Sequence, residues 1–226
     1  MTRNAATPRF GSGEGLEKNP LLPGTFKHNL EAFKTELGKA KVNKDFYPLI
    51  PLSLARQLIQ NSYAGVLGAH AFIRLPDLLE LLDAQYNNEN PMEPGDNPGR
   101  WAVVNAVVAL SVRFKTAAGA ELEFSPVAMS GYHNATMVVH SLILQAPSLL
   151  TIQALLAMAL FARGIPDQQA FVMLATNASS QFEIWRRLRW KGEAMAMMLN
   201  MEETVADALV GSVAARLLEE ANSFMV

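Results

Sequence analysis

The chain has 226 residues, half of them apolar and 18 % charged, with 19 Lys+Arg against 21 Asp+Glu and no cysteine. That apolar fraction excludes a wholly disordered chain. A net charge of −2 excludes nucleic-acid binding by bulk electrostatics, which needs a marked excess of cations. Without cysteine, disulfides, thiol catalysis, cysteine-ligated zinc and iron–sulfur clusters are all ruled out for this sequence.

Residues 1–25 are rich in Gly, Pro, Asn and Thr, lack periodicity and contain no apolar run suited to a secretory signal, so they read as a disordered arm. The rest, 26–226, reads as one helical domain. Phe26, Leu30, Phe33 and Leu37 recur at helical spacing and predict a short amphipathic helix over 26–42. Prolines at 48 and 51 predict an extended entry, and Ser53 a helix N-cap. That helix runs to about Leu67 with Leu54, Ala55, Leu58, Ile59 and Ser62 inward. His70 to Ile73 reads as an extended link, and Pro76 opens a helix to Tyr86 with Leu75, Leu78, Leu79 and Leu82 inward.

Asn87 to Gly99 holds four Asn, three Pro and two Gly, a loop composition. Trp101 to Phe114 is apolar almost throughout and too long for a usual strand, so it predicts a helix buried nearly all round. After a polar linker, Lys115 to Glu123, Ser125 and Pro126 mark the start of a helix running to about Gln145. Ser148 caps the next, to Ala162, with Gly164 at a C′ position and Pro166 stopping it. This longest apolar stretch is interrupted by Thr151 and Gln153 and is short of the about 20 residues of a membrane span. Asp167 caps a helix from Gln168 towards Arg189, and two further patterns, Met195–Thr204 and Val205–Phe224, follow. The predicted class is all-α, a helical bundle or stacked helical hairpins behind a disordered N-terminal arm.

Catalytic signatures are weak. His133 and His140 fall seven apart on one predicted helix with no acidic residue between Ser125 and Gln145, which suits ordinary histidines better than a metal pair. Ser130 beside His133 is adjacency, not triad geometry. Asp77, Glu80 and Asp83 read as a solvated helix face, and the glycines from 11 to 15 lack the preceding strand a phosphate loop requires. Two glycosylation sequons, at Asn134 and Asn177, fall within helical patterns and read as chance matches. No catalytic residue, metal or cofactor is expected. The sharpest local feature is the cationic run Arg186, Arg187, Arg189 and Lys191 between Trp185 and Trp190, either a nuclear-localisation or phosphate patch or cations opposing a helix dipole. Met195, Met197, Met198 and Met201 read as soft helix packing or as a surface for self-association.

Three stretches resemble the regulatory middle homology region of fungal Zn2Cys6 transcription factors. They are Leu49 to Tyr63 followed by Ala71 to Leu78, the Trp101 to Ser111 helix, and Pro147 to Ala159 with its Ser-Leu-Leu-Thr-Ile-Gln-Ala-Leu-Leu core. The resemblance spans roughly 48–187 and is carried by the order and spacing of the motifs. It implies an all-α regulatory domain acting in the nucleus, downstream of a zinc-cluster module, modulating activation and in some members answering an effector. The chain departs from the pattern in lacking the six cysteines, and Ala175 to Ser180 lacks the family's arginine. It is therefore expected to be a fragment, a truncated product or a member that reaches DNA only indirectly. The leading expectation is a transcription regulator working through protein partners, self-association and a small effector. The alternative is a biosynthetic-cluster helical protein binding or transforming a hydrophobic small molecule, with Trp101, Tyr132, His133 and His140 as pocket candidates.

Overall fold

Apolar residues at helical spacing are realised as helices throughout the described chain. The computed structural model describes residues 28–29, 31–32, 46–68, 70, 72–116, 121–193 and 201–224, giving backbone alone at 121–124, 190–193 and 201–207. The helices are α1 Leu52–Val66, α2 Leu75–Tyr86, α3 Pro98–Lys115, α4 Glu121–Thr136, α5 Val139–Leu144, α6 Leu149–Arg163, α7 Gln168–Glu193 and α8 Met201–Ser223, and no strand occurs among the described residues. The 1–25 arm lies outside the described residues. Of the 26–42 helix only 28–29 and 31–32 are described, and these are helical.

Helix α3 is the hub. Trp101 to Ala109 is buried without interruption, as an all-round apolar sequence requires. Helices α1, α2, α4, α5 and α6 pack on it, and α7 and α8 extend the array from α6. The second fully apolar helix, α6, is buried from Thr151 to Ala162 except for half-buried Gln153, whose Nε2 donates to the Phe72 carbonyl at 2.8 Å. Each outer helix is amphipathic: α1 buries Leu54, Ala55, Leu58, Ile59 and Ser62, and α7 turns Phe171, Leu174, Ala175 and Ala178 inward.

Several boundaries differ from expectation, each for a local reason. Pro51, not Ser53, is the N-cap of α1; no side chain caps it, and Ser53 is exposed. The link at Phe72 and Ile73 is bent rather than extended, which buries both side chains. Helix α3 begins three residues earlier than Trp101, because Asn97 Oδ1 accepts from the Arg100 amide at 2.9 Å and Pro98 fits the first turn. The Ser125–Pro126 start signal is overridden: α4 starts at Glu121 and carries Pro126 inside it. Its continuation to Gln145 is broken by a turn at Met137 and Val138, so α5 is a separate short helix. Gly164 caps α6 at φ −98°, not in the left-handed conformation of a C′ glycine. Ser148 and Asp167 do cap α6 and α7, accepting from the Thr151 and Ala170 amides. Helix α7 runs on to Glu193, while the two C-terminal patterns are one helix, α8, from Met201; residues 194–200, with Met195, Met197 and Met198, lie outside the described residues.

Candidate functional site

The two ends of α3 carry the polar groups that matter. At the N-terminal end, fully buried Trp101 donates Nε1–H to the Asn134 carbonyl at 2.9 Å, and Asn105 Nδ2 donates to the Trp101 carbonyl at 2.9 Å. Asn134 on α4 then joins three elements. Its Nδ2 donates to Asn105 Oδ1 at 3.0 Å and to the Tyr47 carbonyl at 2.9 Å, while its Oδ1 accepts the Tyr47 amide at 2.7 Å. One amide side chain thus pairs with both backbone groups of Tyr47, as a neighbouring strand would. Phe46 meets the Trp101 ring edge-on at 5.1 Å, and Tyr86 donates its hydroxyl to the Ile50 carbonyl. Helices α3 and α4 come this close because Gly131 has no side chain: a Cβ there would lie 3.0 Å from the Asn105 carbonyl oxygen.

At the C-terminal end, Arg113 reaches across to the end of α6. Its Nη1 donates to the Phe161 carbonyl at 2.9 Å, the guanidinium stands 5.3 Å over the Phe161 ring, and it covers the bare Cα of Gly164, where a Cβ would sit 1.3 Å from Nη2. The Phe161 carbonyl also accepts the Gly164 amide at 3.0 Å, and a cation at this negative end of the helix dipole is favourable. Burial, and secondarily the nearby Arg163, nevertheless hold the Arg113 pKa below its ordinary value. Beside it opens a cleft of about 200 Å³ bounded by Arg113, Thr116, Ser125, Met129, Phe161 and Ile165. Its walls are mainly apolar, with the guanidinium as the charged group.

The four pocket candidates do not converge. Trp101 is sealed in the α3–α4 seam, and Tyr132 is buried, stacked on Phe161 at 4.6 Å between ring centroids. Burial, with a smaller contribution from Asp167, pushes the Tyr132 phenol up to about 12, so it stays protonated at neutral pH. His133 is exposed and meets Tyr47 edge-on at 5.3 Å, while His140 is exposed on α5. The turn at Met137 and Val138 puts the two histidines on different helices. None of the four lines the Arg113 cleft or the smaller cavity under Leu49 and Ile50. Ser130 donates to the Val127 carbonyl of its own helix at 2.8 Å. Among the described residues no group of His, Asp and Glu could hold a metal ion, and no helix is long and apolar enough to cross a membrane.

The cationic run lies on the outer part of α7. Arg186 pairs with Glu183 at 2.9 Å, Arg189 lies 5.2 Å over the Trp185 ring, and Arg187 is exposed. The side chains of Trp190 and Lys191 lie outside the described residues. Ile184 and Leu188, 47 % and 56 % exposed, sit among these cations, so the face is mixed apolar and basic. Sequence reasoning gave Asn105 and Arg113 no role, and met Asn134 only as a sequon and Gly164 only as a helix cap. The available signals were a cation in the last turn of an apolar helix and two asparagines inside buried runs.

Two curated proteins align with the chain, each called an ABC-transporter-regulating transcription factor, one from Aspergillus oryzae and one from Aspergillus fumigatus. Each is 28 % identical over 134 residues, covering 59 % of this chain and 14 % of the relative. No protein-family model matches the chain, and no solved structure matches it. Across more than half of its length, then, this helical chain is similar to a small part of two Aspergillus transcription factors.

Proposed function

We propose that the chain is a regulatory-type helical domain of the fungal zinc-cluster transcription factor class, acting in the nucleus through protein contacts and a small effector. The observation that carries the reading is the 134-residue similarity to two transcription factors, in a chain whose described residues are overwhelmingly helical. With no cysteine, these 226 residues cannot themselves form a zinc cluster, and on this reading DNA is reached through a separate module. The mixed apolar and basic face of α7 supports protein contact, since exposed Ile184 and Leu188 gain from being covered. No catalytic role is assigned to any side chain. Fused to a heterologous DNA-binding domain, the chain is expected to change reporter output. A tagged chain is expected to enter the nucleus and to leave it when Arg186, Arg187 and Arg189 are replaced by Ala. An inert fusion sinks the regulator reading, and unchanged localisation removes the cationic run from nuclear entry. The second reading, a helical protein that binds or transforms a hydrophobic small molecule, is favoured by the apolar cleft beside Arg113. Turnover of such a molecule would decide for it.

A further inference from the structure

We propose that the cleft at the C-terminal ends of α3 and α6 is a binding site for a small apolar carboxylic acid in its anionic form, with Arg113 as the residue that selects the charge. This rests on the effector part of the functional reading and supplies its chemistry. The first observation is the shape and lining of the cleft. At about 200 Å³ it is smaller than the roughly 300–1,000 Å³ of sites for drug-sized molecules, and its walls include Met129, Phe161 and Ile165. It therefore suits a short apolar body, one end of which remains near solvent at exposed Ser125 and Met129.

The second observation is the state of the guanidinium. Arg113 is only partly exposed, and no carboxylate pairs with it among the described residues. Its planar fork has five N–H donors, and one nitrogen, Nη1, is committed to the Phe161 carbonyl. A ligand carboxylate can accept from those that remain. Such a charge-assisted pair is about twice as strong as a neutral hydrogen bond, and it would also offset the desolvation and the repulsion from Arg163 that the unliganded guanidinium bears. Thr116 spends its hydroxyl proton on the Val112 carbonyl, so the side-chain donors left at the cleft are Arg113 and the Ser125 hydroxyl. The cleft thus combines apolar contact for the chain of the acid with a single cation for its head.

The test is calorimetric titration and thermal unfolding of the purified full chain with hexanoate, 1-hexanol and acetate. Hexanoate is expected to bind about tenfold or more tightly than either comparison compound, the difference of one charge-assisted hydrogen bond, and to raise the unfolding temperature in proportion to its occupancy. Arg113→Gln is expected to erase the preference of hexanoate over hexanol, and Ser125→Trp, at the exposed mouth, to block both. If Arg113→Gln fails to fold by circular dichroism, Arg113→Lys replaces it, with a several-fold weaker preference expected from loss of the planar fork. Equal binding of hexanoate and hexanol, a preference surviving Arg113→Gln, or no binding to the folded chain would each overturn the proposal. Because no reporter enters these measurements, their failure leaves the regulator reading standing, and an inert reporter fusion leaves the cleft standing.

Discussion

At its N-terminal end α3 is closed: Trp101, Asn105 and Asn134 satisfy one another and the Tyr47 backbone in the interior. At its C-terminal end the same helix borders an open cleft, where Arg113 holds one carbonyl and carries a charge with no anion beside it among the described residues. The contrast separates structural from receptive polarity. Buried polar groups that are mutually satisfied rigidify a seam and leave nothing for a ligand to gain. A partly desolvated cation beside apolar walls leaves a gain to be made, which the more conspicuous aromatic residues of the first end do not offer.

The strongest way to break the comparison is at the closed end. Trp101→Ala removes the largest fully buried side chain among the described residues and the donor to Asn134, and should cost about 3–5 kcal/mol, read as a lower urea midpoint. If the cost is below about 1 kcal/mol, the seam is not what holds α3 to α4. A smaller effect is expected at the open end. Gly164→Ala puts a Cβ where the Arg113 guanidinium lies, but the far end of a flexible side chain can move aside. The loss should be about 1 kcal/mol, the worth of the Phe161 hydrogen bond, together with a weakened preference for hexanoate over hexanol. Smallest is a pH effect near the same corner. His70 Nδ1 accepts from Arg216, and burial first, then Arg216 and Arg163, lower its pKa while Glu220 opposes them. The unfolded chain therefore takes up this proton before the folded one does. Stability should be full above about pH 6.5, the ordinary histidine value, and fall as the pH drops from there through the lowered folded pKa. Replacing His70 with Gln should flatten that part of the profile in urea titrations at successive pH values; an unaltered slope would assign it elsewhere.

The helical class and the inward stripes were legible because periodicity reports burial directly. Leu54, Leu58 and Ile59 on α1, and the apolar run from Trp101, could face only a core. Local chemistry misled where tertiary contact decides. Ser125–Pro126 spells a helix start, yet the chain is already helical at Glu121, and nothing in the spacing announces the turn at Met137 that separates His133 from His140. The site was less legible still. Arg113 and Gly164 are far apart in sequence, and their fit depends on α3 and α6 ending side by side, which no pattern within either helix encodes. Asn134 drew notice only as part of a sequon, since a buried asparagine has no periodic signature.

The two-point grip of Asn134 on Tyr47 makes position 134 nearly irreplaceable. Aspartate would accept at both prongs with nothing to give the Tyr47 carbonyl, and glutamine, one methylene longer, would push the amide past its register. The same nitrogen that a sugar-transferring enzyme would need is engaged twice inside the protein. The acceptor spelling Asn134-Ala135-Thr136 is thus a by-product of architecture, inert for as long as the helices stay closed.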